Sequence, residues 1–335
     1  MKNFSLIILC SLLLLSCEKP QKRVSKEENP FVVDVLLKTT PVKDQGHSSL
    51  CWVYAMLSTI ETNHLMQGDS VNLSTDYVAR KLFTQQAIEN YLSRGKKRFN
   101  QRGMASMLIH IIQQDGAIPF DSYYSKNGVN YNILCRKLAM AVKTAHSFAD
   151  VQSKADAIMD EEIGYMPAPS VHMLGATYTP LEFAHSVCRE NEYDSYTSFT
   201  HHPFGSRVVL ETPDNLMNDS FLNLPIDSLM NLIVSRLQSG RAVCWEGDVS
   251  EPGFDAVNGV GEVPEKNVTQ EMRQRQFESL KTTDDHCMSI VGIAHDKKGN
   301  RFFILKNSWG TNNRFHGFVY LSYEYVKLKT IAVFL

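Results

Sequence analysis

The hydrophobic pattern of this 335-residue chain changes period along its length, and that change restricts the folds open to it. In the earlier part, apolar positions recur at helical spacing. Val53, Met56, Leu57, Ile60, His64 and Leu65 predict a helix over Trp52–Met66, ended by Gly68. Met107, Leu108, Ile111 and Ile112 predict another over Met104–Gln114, with Gly116 after it. Asp227 or Ser228 can cap a third, Leu229–Gln238, which Gly240 closes. Cys188–Thr200 is polar and gives no clear signal. From His286 onward the pattern is β-like. His286–Ala294 is a strand, Asp296–Asn300 a hairpin loop, and Arg301–Lys306 the returning strand. Gly317–Leu321 and Thr330–Phe334 read as further strands. Helices first and strands later predict an α+β protein of two lobes, one helical and one β-rich, with a cleft between them.

The first seventeen residues are a targeting signal. Lys2 is followed by an apolar run, Phe4–Leu15, interrupted only by Ser5 and Ser11. A dozen residues at ~1.5 Å each reach ~18 Å, short of the ~30 Å hydrocarbon core, so the run is a signal and not a span. Its end, Leu14-Leu15-Ser16-Cys17, resembles a bacterial lipobox, in which the cysteine is diacylated. Residues 18–30, with Pro20 and Pro30, read as a tether to a domain over 31–335. The expectation is an exported bacterial lipoprotein, anchored to a membrane by lipid on its periplasmic or cell-surface side. From Cys17 to Cys51 there are 33 intervening residues, too few for a long helical inhibitory pro-segment.

Charge excludes other classes. Thirty-four basic against 36 acidic residues leave a net charge of −2, which exerts no long-range pull on nucleic acid. Of seven cysteines, Cys10 leaves with the signal and Cys17 is lipidated. The five that remain are Cys51, Cys135, Cys188, Cys244 and Cys287. An odd count in an exported protein asks which thiol stays free. No CxxC pair is present, and His172, His185, His201, His202 and His316 lack ligand spacing, so no metal or cofactor is expected.

Three segments carry chemistry. In Pro41-Val42-Lys43-Asp44-Gln45-Gly46-His47-Ser48-Ser49-Leu50-Cys51-Trp52, a loop delivers Cys51 to a helix start, where partial positive charge favours thiolate. Gln45 can aim a side-chain N–H at the same point. With the Cys51 backbone N–H it would make a two-donor oxyanion hole. In Asp284-Asp285-His286-Cys287-Met288, a histidine opens a strand and can serve as base and then acid. Lys306-Asn307-Ser308-Trp309-Gly310 ends the next strand, which places Asn307 where it can fix the imidazole tautomer, with Trp309 as a shield. Asp284 and Asp285 read as a solvated loop face. The other four thiols read as buried or disulfide-bonded, and Met104, Met107 and Leu108 as core.

These segments resemble the papain superfamily of cysteine peptidases. The order Gln45, Cys51, His286, Asn307 matches, as do the six-residue gap between Gln45 and Cys51, the Cys51-Trp52 pair and Asn307-Ser308-Trp309-Gly310. The resemblance implies that Cys51, His286, Asn307 and Gln45 are catalytic, with Trp52 and Trp309 supporting them and peptide or protein as substrate. Two departures matter. Ser48 stands where papain has a disulfide cysteine. His286 follows Cys51 by 235 residues, against roughly 130–150 in papain and the cathepsins. The resulting insertion, roughly 130–281, and Thr179-Pro180-Leu181-Glu182-Phe183 within it look more like the bleomycin hydrolase and aminopeptidase C branch. In that branch a longer C-terminal arm enters the cleft and favours aminopeptidase action. Only 28 residues follow Asn307 here, which leaves exo- versus endopeptidase action and oligomeric state open. Gly103 stands near the place of a papain glycine that binds substrate backbone, although Arg102 precedes it. Two other readings of the same residues are a transamidating acyl transferase and a catalytically silent surface-binding lipoprotein.

Overall fold

The computed structural model describes residues 29–173 and 175–335. The expected signal, Cys10, Cys17 and the expected tether up to residue 28 lie outside the described residues. In the N-terminal part, strand β1 (Phe31–Leu36) precedes helices α1 (Cys51–Gln67), α2 (Thr75–Leu92), α3 (Ala105–Asp115), α4 (Tyr131–Val142) and α5 (Phe148–Glu162). The middle carries β2 (Val171–Met173), β3 (Ala176–Tyr178), α6 (Pro180–Val187), β4 (Ser195–Thr197), β5 (Arg207–Val209), β6 (Ser220–Asn223) and α7 (Ile226–Gln238). The last third holds β7 (Val243–Gly247), β8 (Phe254–Asp255), β9 (Val260–Gly261), α8 (Gln270–Glu278), β10 (His286–Asp296), β11 (Arg301–Lys306), β12 (Phe318–Ser322), α9 (Tyr323–Lys329) and β13 (Thr330–Phe334).

Strand β10 organises the sheet. Its first half, His286–Ile290, pairs antiparallel with β7, and its second half, Gly292–Asp296, with β1. Its other edge pairs along its length with β11. The sheet continues from β11 to β12, β9 and β8 on one side, and from β7 to β13, β4, β6 and β5 on the other. One hydrophobic cluster fills the helical body around α1, α2 and α3. A second lies between the sheet and α7. The molecule is thus a mixed α+β fold with a helical lobe and a β-rich lobe.

Helix α1 is buried on nearly every side. Trp52, Val53, Met56, Leu57 and Ile60 are buried, but so are Thr59, Glu61, Thr62 and Asn63. A helix apolar all round belongs inside a protein, and one carrying polar groups there needs partners for them. Thr59 Oγ1 lies 2.9 Å from Ser289 Oγ of β10. Asn63 donates to the Tyr193 hydroxyl at 3.0 Å and accepts from Ala242 N at 2.8 Å. Glu61 accepts from Lys43 Nζ at 2.8 Å, from Leu73 N at 2.7 Å and from the Thr40 hydroxyl. Lys306 Nζ, at the end of β11, donates to Thr40 Oγ1 at 2.8 Å. Burial pushes the Lys306 ammonium down to about 8, although Glu61 pulls it up. This network joins the loop before Cys51, the middle of α1 and the strand before Asn307. Gly68 ends the helix at φ +97°, a left-handed conformation that costs glycine nothing.

Several expectations change. The chain does not run from helices to strands: β1 stands before α1 and β4 lies within the polar Cys188–Thr200 stretch, because partners far along the chain complete each strand. Helix α7 begins at Ile226, and its cap is Pro225; Asp227 sits in the first turn and makes no cap. Gln270 Oε1 accepts from Ile226 N at 2.7 Å, so a distant side chain takes the capping role. Asp284 is buried, not solvated. All five described cysteines are free thiols. No helix among the described residues is long and apolar enough to cross a membrane.

Removing the Glu61 carboxylate strands a lysine and two other donors in the core. Glu61→Ala is expected to lower stability by about 3–5 kcal/mol, read as a shifted urea midpoint at unchanged slope. A loss below about 1 kcal/mol would mean that the network contributes no more than a surface pair.

Candidate active site

Cys51 is the first residue of α1, and His286 is the first of β10. Because α1 packs on β10, the helix N terminus meets the strand start at the seam between the two cores. The His286 imidazole hydrogen-bonds the Cys51 sulfur on one side. On the other, Nε2 lies 2.8 Å from Asn307 Oδ1. An amide oxygen can only accept, so Nε2 carries the proton. Asn307 Oδ1 also accepts from Ser308 N at 2.8 Å, and Asn307 N donates to Gly317 O at 3.0 Å, which fixes the amide. The Trp309 ring lies over the imidazole with centroids 4.5 Å apart and shields the bond.

Gln45 reaches the same cleft by a different route. Its backbone N donates to Ser308 O at 2.8 Å, and Asp44 pairs with Trp309 as an antiparallel bridge. The loop before Cys51 is thereby stitched to the Asn307 loop. Gly310, at φ +69°, closes this contact: a Cβ there would meet Asp44 Oδ2 at 3.0 Å. Gln45 Oε1 accepts from Ser308 Oγ at 2.6 Å, which assigns its amide orientation. One Nε2 proton goes to Ser48 O at 2.7 Å. Ser48 Oγ returns a bond to Gln45 O at 2.7 Å and so closes the turn in which Gln45 sits. Trp52 is fully buried, with Nε1 donating to Gln101 O at 2.9 Å.

Burial separates the thiols. Cys51 is held well below the usual thiol range, first by a hydrogen bond with the Cys287 thiol and then by the hydrogen bond and charge of His286, which together outweigh burial. For His286 burial acts downward, and the thiolate and Asn307 outweigh it, so the imidazole titrates above its ordinary value. Each partner stabilises the charged form of the other. Burial pushes Cys135 up to about 11, Cys188 to about 12, and Cys244 and Cys287 well above their normal value. Among the described cysteines whose thiols shift, Cys51 alone is lowered, the direction that favours thiolate.

Sequence reading missed four contributors. Gln101 accepts from Ser49 N at 3.1 Å and holds Trp52 through its carbonyl. Arg102, Asp214 and Glu246 line the cleft, about 230 Å³ in volume, together with Cys51, Gly103, Asp284 and His286. No local motif marks them, since they arrive from three separate segments. Gly103 faces the Trp52 ring, and a Cβ there would lie 3.1 Å from it. A larger cavity, about 870 Å³, is lined by the Pro41–His47 loop with Tyr54, Phe120 and Tyr131, and it shares Gln45 with the cleft. Away from the cleft, ligand atoms of His201, His202 and Glu211 lie within 4.8 Å of one another. Spacing along the chain hid this group because Glu211 comes from the far side of a loop. By donor type it could hold a transition metal.

Comparison with known proteins bears on the fold and on the class of enzyme. The Peptidase C1-like family profile matches residues 171–333. Cysteine proteinase 1, mitochondrial, of Saccharomyces cerevisiae is 24% identical over 90% of this chain and 76% of its own length. Aminopeptidase G of Lactobacillus delbrueckii subsp. lactis is 23% identical over 87% of this chain and 79% of its own. Aminopeptidase C of Streptococcus thermophilus is 22% identical with the same coverage. The crystal structure of PepW from Lactobacillus rhamnosis HN001 shares the fold, with a TM-score of 0.66, 18% identity, and coverage of 91% of this chain and 81% of that one. Residues 171–333 thus match the Peptidase C1-like family, and similarity to cysteine proteinases and aminopeptidases over most of the chain supports a cysteine-type peptidase with a papain-like α+β fold.

Proposed function

We propose that this peptidase hydrolyses peptide bonds through Cys51, His286 and Asn307, by way of an acyl-enzyme. The observation that carries the reading is the lowered Cys51 thiol beside an imidazole anchored to Asn307 at 2.8 Å. The Cys51 thiolate attacks the carbonyl carbon. The first backbone N–H groups of a helix have no intrahelical partner, so the Cys51 N–H is available to the oxyanion. The Gln45 amide has a second Nε2 proton beyond the one given to Ser48, and it serves as the other donor. His286, as imidazolium, protonates the leaving amine. It then takes a proton from the water that hydrolyses the thioester. The names of the relatives, Aminopeptidase G and Aminopeptidase C, support cleavage close to a free N terminus.

The N-terminal sequence supports a second part of the proposal: Cys17 carries lipid and tethers the enzyme to a membrane. Cys17→Ser is expected to move the protein from the membrane to the soluble fraction. An unchanged membrane fraction would remove the anchor.

Labelling with an epoxide inhibitor of cysteine peptidases, with the site read by mass spectrometry, is expected to modify Cys51 and to fail in Cys51→Ala. Absence of label on the folded wild type would favour the binding-lipoprotein reading, and amine-dependent product would favour transamidation. Gln45→Ala is expected to lower kcat about 10²–10³-fold.

The pH profile of kcat/KM follows from the two opposed shifts. The thiolate is lost as pH falls through the lowered Cys51 value, and the imidazolium is lost as pH rises through the raised His286 value. A bell is therefore expected, with its acid limb well below the ~8.5 of an ordinary thiol. Asn307→Ala removes one of the groups that raise His286, so it should move the alkaline limb to lower pH. An unmoved limb would contradict the role given to Asn307.

A further inference from the structure

The cleft beside Cys51 holds more negative charge than its own residues neutralise. Asp214, Glu246, Asp284 and Asp285 all line it, against Arg102 and the imidazole. Arg102 is already committed: Nε donates to both Asp214 oxygens at 2.7 and 3.0 Å, and Nη2 donates to the Asp284 backbone carbonyl at 2.9 Å. Asp285 accepts from Val249 N at 2.9 Å. Glu246 and Asp284 have no such relief. Glu246 is fully buried, and neither of its oxygens meets a protein donor; Asp284 is 6% exposed, and its Oδ2 also lacks a donor. The two carboxyls face each other, and sharing a proton is the only hydrogen bond open to these atoms. Burial raises both groups, Asp284 to about 7 and Glu246 well above its usual range, so the pair holds that proton near neutral pH.

Register places this pair at the reaction centre. Glu246 on β7 stands opposite Cys287 on β10, so their side chains share one face of the sheet. That face looks toward the start of α1, where the Cys287 thiol hydrogen-bonds Cys51. Asp284 precedes His286 by two residues. Its loop is rigid: Thr283 N donates to Asp248 Oδ2 at 2.7 Å, and the buried Lys329 Nζ holds Lys281 O at 2.9 Å and Thr282 Oγ1 at 3.2 Å. A buried carboxyl without a donor is costly, and a fixed pair of them on a cleft wall is a receptor for a cation.

We propose that Glu246 and Asp284 form a specificity pocket that binds a cationic group in the acyl part of the substrate. The group is a protonated amine or guanidinium: the free α-ammonium of the peptide, or the side chain of a lysine or arginine close to the cleaved bond. The inference rests on the peptidase reading, since it names the substrate class of the same cleft. A cation entering between the carboxyls displaces the shared proton and gives each oxygen a donor.

The test compares rates of covalent labelling at Cys51 by matched peptidyl electrophiles. One pair carries lysine or its neutral isostere norleucine at the residue attacked or the one before it. The other carries a free or an acetylated α-amine. At least one cationic probe is expected to label about 10-fold faster or more than its neutral partner. Glu246→Gln and Asp284→Asn are each expected to bring that ratio toward one. Lysine faster than norleucine identifies a basic side chain, and free faster than acetylated amine identifies the N terminus. Equal rates within both pairs, or a ratio untouched by either substitution, would overturn the pocket. If no probe labels Cys51, the peptidase reading fails. Calorimetry with arginine amide against norleucine amide then decides the pocket alone: weaker or equal binding of the arginine compound overturns it, and tighter binding lost in Glu246→Gln supports it.

Discussion

The site depends on the packing of α1 against β10. The helix brings Cys51 at its first turn, and the strand brings His286 at its first residue. Neither segment has chemistry alone. The contact is held by apolar burial along α1 and by a few polar bonds that fix its axial position, such as Thr59 to Ser289 and the Lys43–Glu61–Thr40–Lys306 network. A shift of the helix by one residue would leave these buried groups unpaired, at about 1–3 kcal/mol each. The arrangement therefore permits one register, and in it the sulfur meets the ring nitrogen.

The same low-dielectric environment has opposite effects on different groups. It pushes Cys135, Cys188, Cys244 and Cys287 toward inert thiols. It would do so for Cys51, but His286 and the Cys287 thiol supply a charge and a donor that reverse the direction. It raises both carboxyls of the Glu246–Asp284 pair. One cleft thus holds a thiol shifted down and, beside it, two buried carboxyls shifted up. Cys287 takes part in both: it donates to Cys51, and it shares a sheet face with Glu246.

Legibility differed by kind of feature. α1, α3, β10, β11 and β13 could be read from period and glycine stops, since each has a strong local pattern. Ala105–Asp115 differs from its expected bounds by a single residue at each end. The insertion was poorly read. α4 places Tyr131, Leu134, Leu138 and Val142 inward, and α5 places Val151, Ala155 and Met159 inward, at sound helical spacing among many charges. The Thr179-Pro180-Leu181-Glu182 motif has a physical meaning of its own. Thr179 and Glu182 close a capping box at the start of α6, with Pro180 in the first turn.

The sequence by itself marked Cys51, His286, Asn307 and Gln45 as candidates for one site, because reactive side chains on short loops at element ends leave a compact, ordered signature. It also determined the helix and strand segments whose hydrophobic period is strong. Tertiary structure decided the rest. β1 and β4 exist because distant strands pair with them. Gln270 caps a helix that begins 44 residues before it. Arg102, Asp214, Glu246 and Asp284 meet only when four separated segments close around one cleft. Pairing and burial are relations between residues far apart in the chain, and neither is encoded by any one segment.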